Sequence, residues 1–165
     1  LRLELINNYA IELLKMGYSS EEVRNSLDYQ ARLSKIKDTL KQELSRHPFE
    51  LRFRITVMEM AIMLNDYSER IEQIVLMSKL SPKRQTNYWF LEEAMVNLGK
   101  LDIALKAMDE VIELSPRITE SYFRRANVHF LMGNKEEARK DLDKAFELGF
   151  VLATKEQAEF YKALQ

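Results

Sequence analysis

The sequence predicts an all-α fold of stacked antiparallel helix pairs, and three observations carry that prediction. Breakers are scarce: four glycines and three prolines in 165 residues, in a chain rich in Leu, Glu and Lys, which favours helix nearly throughout. The three prolines, Pro48, Pro82 and Pro116, stand 34 residues apart. Other residues keep the same period: Gly99 with Gly133, Ala104 with Ala138, Tyr88 with Tyr122, and Leu80 with Leu114 and Leu148. A fixed period of this size marks a repeat array whose units bury their apolar faces on their neighbours.

Taken in chain order, residues 1–50 form the N-terminal helical hairpin. Residues 2–16 predict an amphipathic helix ending at Gly17. Ser19 followed three residues later by Glu22 reads as a capping box. The stripe Val23, Leu27, Leu33, Ile36, Leu40 and Leu44 then predicts one helix persisting to Arg46, about 40 Å long at 1.5 Å per residue. The segment 51–84 is a degenerate unit: Asn65 stands at the turn position and Arg70 where later units carry a small alanine, so a looser helix pair is expected there.

The units 85–118 and 119–152 superpose with identities at Tyr88/Tyr122, Gly99/Gly133, Ala104/Ala138, Lys106/Lys140, Asp109/Asp143, Glu113/Glu147 and Leu114/Leu148. In the second of them Thr119 can cap a helix reaching about Met132, and Gly133-Asn134 supplies the turn. A second helix follows from about Lys135 to Leu148, with Ala138, Leu142 and Ala145 on one apolar stripe. Each proline halts the preceding helix and redirects the chain. Residues 153–165 form a capping helix in which Ala158, Phe160 and Tyr161 can cover the last unit.

Composition excludes several function classes. The formal net charge of −1 provides none of the basic excess that nucleic acid binding needs. No cysteine is present, so thiol catalysis, thiolate metal sites and disulfides are absent. No apolar run is long enough to span a membrane. The chain opens on Leu1 without a signal-peptide pattern, and is expected to be a piece of a longer protein. The only histidines, His47 and His129, are 82 residues apart and lack metal-ligand spacing. The carboxylate pairs Glu21-Glu22 and Glu136-Glu137 fall in first turns of helices, where they complement the helix dipole. No phosphate-cradling glycine loop occurs. No catalytic residue, metal site or cofactor is expected.

The pattern Tyr122…Gly133-Asn134…Ala138…Leu142…Ala145…Leu148, preceded by Tyr88, Leu91, Gly99, Ala104 and Pro116, resembles the tetratricopeptide repeat. The resemblance covers about 51–152. It implies a right-handed α-solenoid whose concave groove is lined by the first helix of each pair, and a protein or peptide partner. Two residues depart from the family pattern: Glu92 stands where Gly or Ala is usual, and Arg125 where Leu is frequent. A narrower likeness is carried by Leu80-Ser81-Pro82-Lys83-Arg84-Gln85 and the preceding His47-Pro48…Arg52. This resembles the soluble C-terminal tail of O-antigen ligase and polysaccharide polymerase-type membrane proteins of bacteria. It implies a non-catalytic assembly module tethered to the inner membrane through spans outside this sequence. A free-standing adaptor or co-chaperone-like scaffold is the alternative.

In this register the groove positions are Arg52, Ile55 and Glu59, then Trp89, Glu93 and Val96, then Phe123, Arg124, Asn127 and Phe130. Trp89 and Phe123 are one period apart, so stacked helices are expected to bring them side by side as an anchor for a peptide. Arg124 and Asn127 would fix polar groups beside them. The carboxylate clamp of chaperone-binding family members is matched only by Arg124 and Asn127. Glu59 and Glu93 would oppose an acidic ligand at the other clamp positions.

Overall fold

The computed structural model describes residues 2–164, which form ten α-helices and no strand. Contacts divide the chain into two compact units, Leu1–Pro82 and Lys83–Gln165.

The first unit holds α1 (Arg2–Ser19), α2 (Glu21–Asn25), α3 (Leu27–Arg46), α4 (Leu51–Met63) and α5 (Tyr67–Leu80). Its core joins Ala10, Leu13 and Leu14 of α1 to Leu33, Leu40 and Leu44 of α3 and to Phe53, Val57 and Met60 of α4. The single long helix expected to run from residue 19 to Arg46 is broken at Ser26. This serine closes α2 with its N–H on the Val23 carbonyl and opens α3 by accepting from the Tyr29 N–H. A hydroxyl that bonds local backbone in an extended conformation competes with helix continuation. The break turns Leu27 out of the expected stripe, leaving it 85% exposed, and Tyr29 takes its place in the core.

The neighbouring cap also differs from the expected one. Ser20, not Ser19, accepts from the Val23 N–H and caps α2. Nor does Gly17 end α1, which continues to Ser19. The Tyr29 ring lies against Gly17, and its hydroxyl donates to the Leu13 carbonyl at 3.0 Å. A Cβ on residue 17 would sit 2.1 Å from the Tyr29 hydroxyl. The glycine is required by close approach, not by backbone reversal.

In α4 and α5 the degenerate positions are accommodated. Asn65 adopts φ 54° in the turn, the conformation that Gly99 and Gly133 adopt in theirs; asparagine tolerates it better than other side-chain-bearing residues. Arg70 is buried where Ala104 and Ala138 stand. Asp66 caps α5 by accepting from the Glu69 N–H and pairs with Lys37 of α3. Arg54 donates through Nε and Nη2 to the Pro48 carbonyl. Two periods later, Tyr122 donates its hydroxyl to the Pro116 carbonyl at 3.1 Å. The same repeat position therefore ties down the proline turn with unrelated side chains.

The second unit holds α6 (Gln85–Asn97), α7 (Leu101–Leu114), α8 (Thr119–Leu131), α9 (Lys135–Glu147) and α10 (Lys155–Leu164). Ile118 occupies the cap position of α8, without a side-chain cap, and Thr119 is the first helical residue. Ala104, Ala126, Ala138 and Ala145 have no exposed surface, which is what close helix approach demands. Phe160, Tyr161 and Leu164 of α10 join Phe123, Phe130, Leu142, Phe146 and Phe150 in one apolar cluster. Thr154 starts α10 reciprocally: its hydroxyl accepts from the Gln157 N–H, while the Gln157 side chain accepts from the Ala153 and Thr154 N–H groups. No helix of the described residues is long and apolar enough to cross a membrane.

Candidate functional site

One group of charged and aromatic side chains of the second unit links α6 to α8. Trp89 is half-buried; one side packs into the cluster of Ala107, Met108 and Val111 from α7. Its indole N–H donates to Ser121 Oγ of α8 at 3.2 Å. The Arg124 guanidinium carbon lies 5.4 Å from the centre of the Trp89 ring, within cation–π range. Arg124 Nη1 donates to Glu92 Oε2 at 2.8 Å, and its Nε to Glu120 Oε1 at 3.2 Å.

Glu92 fills the position where a small residue is usual, yet its side chain is only 5% exposed. Burial pushes its carboxyl above the ordinary glutamate value. Arg124 works against that shift, while the nearby Glu93 and Glu120 carboxylates reinforce it. Glu93 itself is exposed, and Val96 and Asn127 are half-buried.

The expected Trp89–Phe123 pair is not what the fold assembles. Phe123 is 8% exposed. It stacks on Phe150 at 4.6 Å between ring centres and meets Phe160 edge-on at 5.5 Å. Phe130 likewise meets Phe160 edge-on at 5.4 Å. Both rings pack in the cluster with α10, Phe123 buried and Phe130 half-buried, and Arg124 is the side chain that lies beside the Trp89 ring. The signal for this was in the sequence: a C-terminal helix carrying Phe160 and Tyr161 must cover apolar rings of the last repeat.

The earlier groove positions lie in the first unit. Arg52 is exposed and turns to Glu4 of α1 and Glu50, with its guanidinium 4.4 Å from the Phe53 ring centre. Ile55 and Glu59 are half-buried, and burial raises the Glu59 carboxyl above the ordinary range.

Arg125, the second departure from the repeat pattern, is bound on three sides. Nε and Nη2 grip both oxygens of Asp141 at 2.7 and 2.6 Å, and Nη1 reaches Asp109 at 2.8 Å. One guanidinium thus links α7, α8 and α9. Both departures, Glu92 and Arg125, are ionic partners, and their complements, Arg124 and the two aspartates, lie 32 and 16 residues away.

The two histidines lie in different units. His47 is the exposed C-terminal cap of α3. His129 lies with Nε2 3.9 Å from Asp141. No group of three or more His, Asp or Glu residues is arranged to hold a metal ion among the described residues.

Comparison with known proteins places this geometry in context. The structure described as MamA MSR-1 C2 has a TM-score of 0.59 at 19% identity over 89% of this chain and 96% of that one. The MamA RS-1 ArsTM double mutant gives a TM-score of 0.67 at 16% identity, over 88% of this chain and 74% of that one. The TPR2B domain of yeast Sti1, in a pHsp70 complex, gives 0.59 at 18% identity, covering 70% of this chain and 93% of its own. The first TPR of Spaghetti (RPAP3), bound to the HSP90 peptide SRMEEVD, gives 0.57 at 22% identity, covering 70% and 93%. Residues 119–149 match the family model of the tetratricopeptide repeat, and the chain has the all-helical, stacked helix-pair fold of these structures.

Proposed function

We propose that this chain is a non-catalytic protein-interaction module, and that the α6/α8 face of its second unit, around Trp89, Glu93, Arg124 and Asn127, is the binding surface. The observation that carries the reading is the Trp89–Arg124 contact. An indole and a guanidinium are held against each other by Ser121, Glu92 and Glu120, and the Arg124 side chain still keeps 29% of its surface. Tryptophan and arginine fixed in advance in this way lose little freedom on binding, and they dominate the energy of many interfaces. Two structures of similar fold are peptide or protein complexes, which supports a protein or peptide as partner. The membrane-glycan-enzyme context belongs to the proposal on its sequence likeness at His47–Arg52 and Leu80–Gln85. About ten hydrophobic spans upstream of Leu1 in the full-length gene would select it over the free-standing adaptor.

The test is capture of the partner by the isolated chain, followed by measured affinity for variants. Trp89→Ala and Arg124→Glu are each expected to cost about 2 kcal/mol or more of binding energy. Lys140→Ala, on the exposed side of α9, should cost nothing. Circular dichroism and melting temperature establish that each variant is folded, since Trp89 also packs on α7. Unaltered affinity in both folded variants moves the interface elsewhere, with the exposed Leu5, Tyr9 and Met16 of α1 next to be tested.

A further inference from the structure

Helix α1 carries two apolar stripes. One, through Ala10, Leu13 and Leu14, is buried in the core of the first unit. The other faces outward: Leu5, Tyr9 and Met16 each keep about half of their surface or more. With Arg2, Glu12 and Ser19, also exposed, they follow one another at alternating intervals of three and four residues along the whole of α1. That is the seam spacing of a helix that pairs with another helix. Single apolar residues scattered over a surface need no explanation, but these three lie on one line. Beside the line runs a groove of about 420 Å³, walled by Tyr9 and Met16 of α1, Val23 of α2, and Tyr29 and Arg32 of α3.

We propose that this face pairs with the same face of a second copy of the chain, the two α1 helices antiparallel, with Leu5 opposite Met16 of the second copy and Tyr9 opposite its Glu12. The polarity of the stripe selects that arrangement. It sets apolar against apolar at Leu5–Met16 and lets the Tyr9 hydroxyl donate to the Glu12 carboxylate. Glu12 keeps its pair with Lys15 at 2.7 Å, so the contact leaves no carboxylate uncompensated. Arg2 then lies against the C-terminal end of the other α1, where the helix dipole is negative and the last turn holds no basic residue. A parallel pair would instead set Arg2 on Arg2 and Glu12 on Glu12, like charges face to face. The groove beside Tyr9 and Met16 gives Leu5 of the second copy a hole to enter. A net charge of −1 adds little repulsion between copies. The surface belongs to the first unit and shares no residue with the α6/α8 face, so either can fail without the other.

The test follows the full 165-residue chain by sedimentation velocity over a concentration series, where a reversible monomer–dimer equilibrium is expected. Leu5→Glu and Met16→Glu, at exposed positions, should each raise the dimer Kd by about tenfold or more while the helical circular-dichroism signal is kept. Lys140→Ala on α9 should leave the Kd unchanged. The chain has no cysteine, so introduced thiols report the register. Under mild oxidation, Leu5→Cys chains mixed with Met16→Cys chains are expected to cross-link to one another. Neither variant should cross-link alone, because like positions then stand about 16 Å apart along the helices, beyond the reach of a disulfide. A parent that stays monomeric up to about 1 mM overturns the second copy as occupant and gives the stripe to a helix of another protein. A dimer that survives both glutamate substitutions overturns the choice of face. Variants that cross-link with themselves and not with each other overturn the antiparallel register.

Discussion

Arg125 shows what a single residue does when it departs from a repeat pattern. Leucine at its position would pack between helices; arginine instead binds Asp141 through two nitrogens and Asp109 through a third, over the Tyr122 ring at 5.8 Å. The side chain of Asp141 is only 8% exposed, and Arg125 donates to both of its oxygens. Exposed pairs such as Lys140–Glu137, with both side chains more than half exposed, contribute little because solvent screens them. Removing one partner of a buried pair costs far more. Arg125→Leu is therefore expected to destabilise the chain by about 3 kcal/mol in chemical denaturation, because it strands the Asp141 carboxylate. Adding Asp141→Leu should restore much of the loss, as an apolar pair replaces an ionic one. Equal stability of the single variant and the parent would show that Arg125 is not holding α7, α8 and α9 together. The residue type was legible as a departure; its purpose was not, since its complements are distant in sequence and become neighbours only through the fold.

Among the elements, those governed by local punctuation were the legible ones. Gly99, Gly133 and Asn65 all take positive φ in the turns of their helix pairs, and α8, α9 and α10 lie within a few residues of their expected bounds. The N-terminal region was less legible because a period of apolar residues cannot see a serine that prefers to bond its own backbone. Ser26 divides one expected helix into α2 and α3, and the tertiary contact of Tyr29 with Gly17 keeps α1 running past its expected glycine stop. Close approach of α8 and α9 depends on Ala138, which has no exposed surface and lies in the cluster with Tyr122, Ala126 and Leu142. Ala138→Leu is expected to overpack that contact and cost about 1–3 kcal/mol, read from the midpoint of urea unfolding. A parent-like midpoint would mean that the helix pair has room that the burial of these alanines denies.

For the whole molecule, the 34-residue period runs without interruption through Pro82, so nothing in the punctuation announced the division into Leu1–Pro82 and Lys83–Gln165. Net charge was equally silent about depth. A chain of net charge −1 places Glu59 and Glu92 where burial raises their carboxyls, and Asp66 where Lys37 and the Glu69 N–H lower its carboxyl. These groups act oppositely on global stability. Asp66 contributes stability that is present above the ordinary aspartate value and is lost as pH falls through its lowered value. Glu59 does the reverse: the folded chain holds its proton to higher pH than the unfolded chain does, so stability falls as pH rises from the ordinary glutamate value through the raised one. Above that window the charged Glu59 is a standing cost, and desolvation is its cause. Glu92 shifts in the same direction but carries the Arg124 ion pair, so replacing it would remove a bond as well as a charge; Glu59 is the cleaner probe. Glu59→Gln is expected to raise the neutral-pH melting temperature by about 2–4 °C, the shift that about 1 kcal/mol produces in a chain of this size. Below the ordinary glutamate value, where Glu59 is protonated in both states, parent and variant should melt together. A variant that is less stable than its parent at neutral pH would mean that the Glu59 carboxylate is paired rather than merely buried.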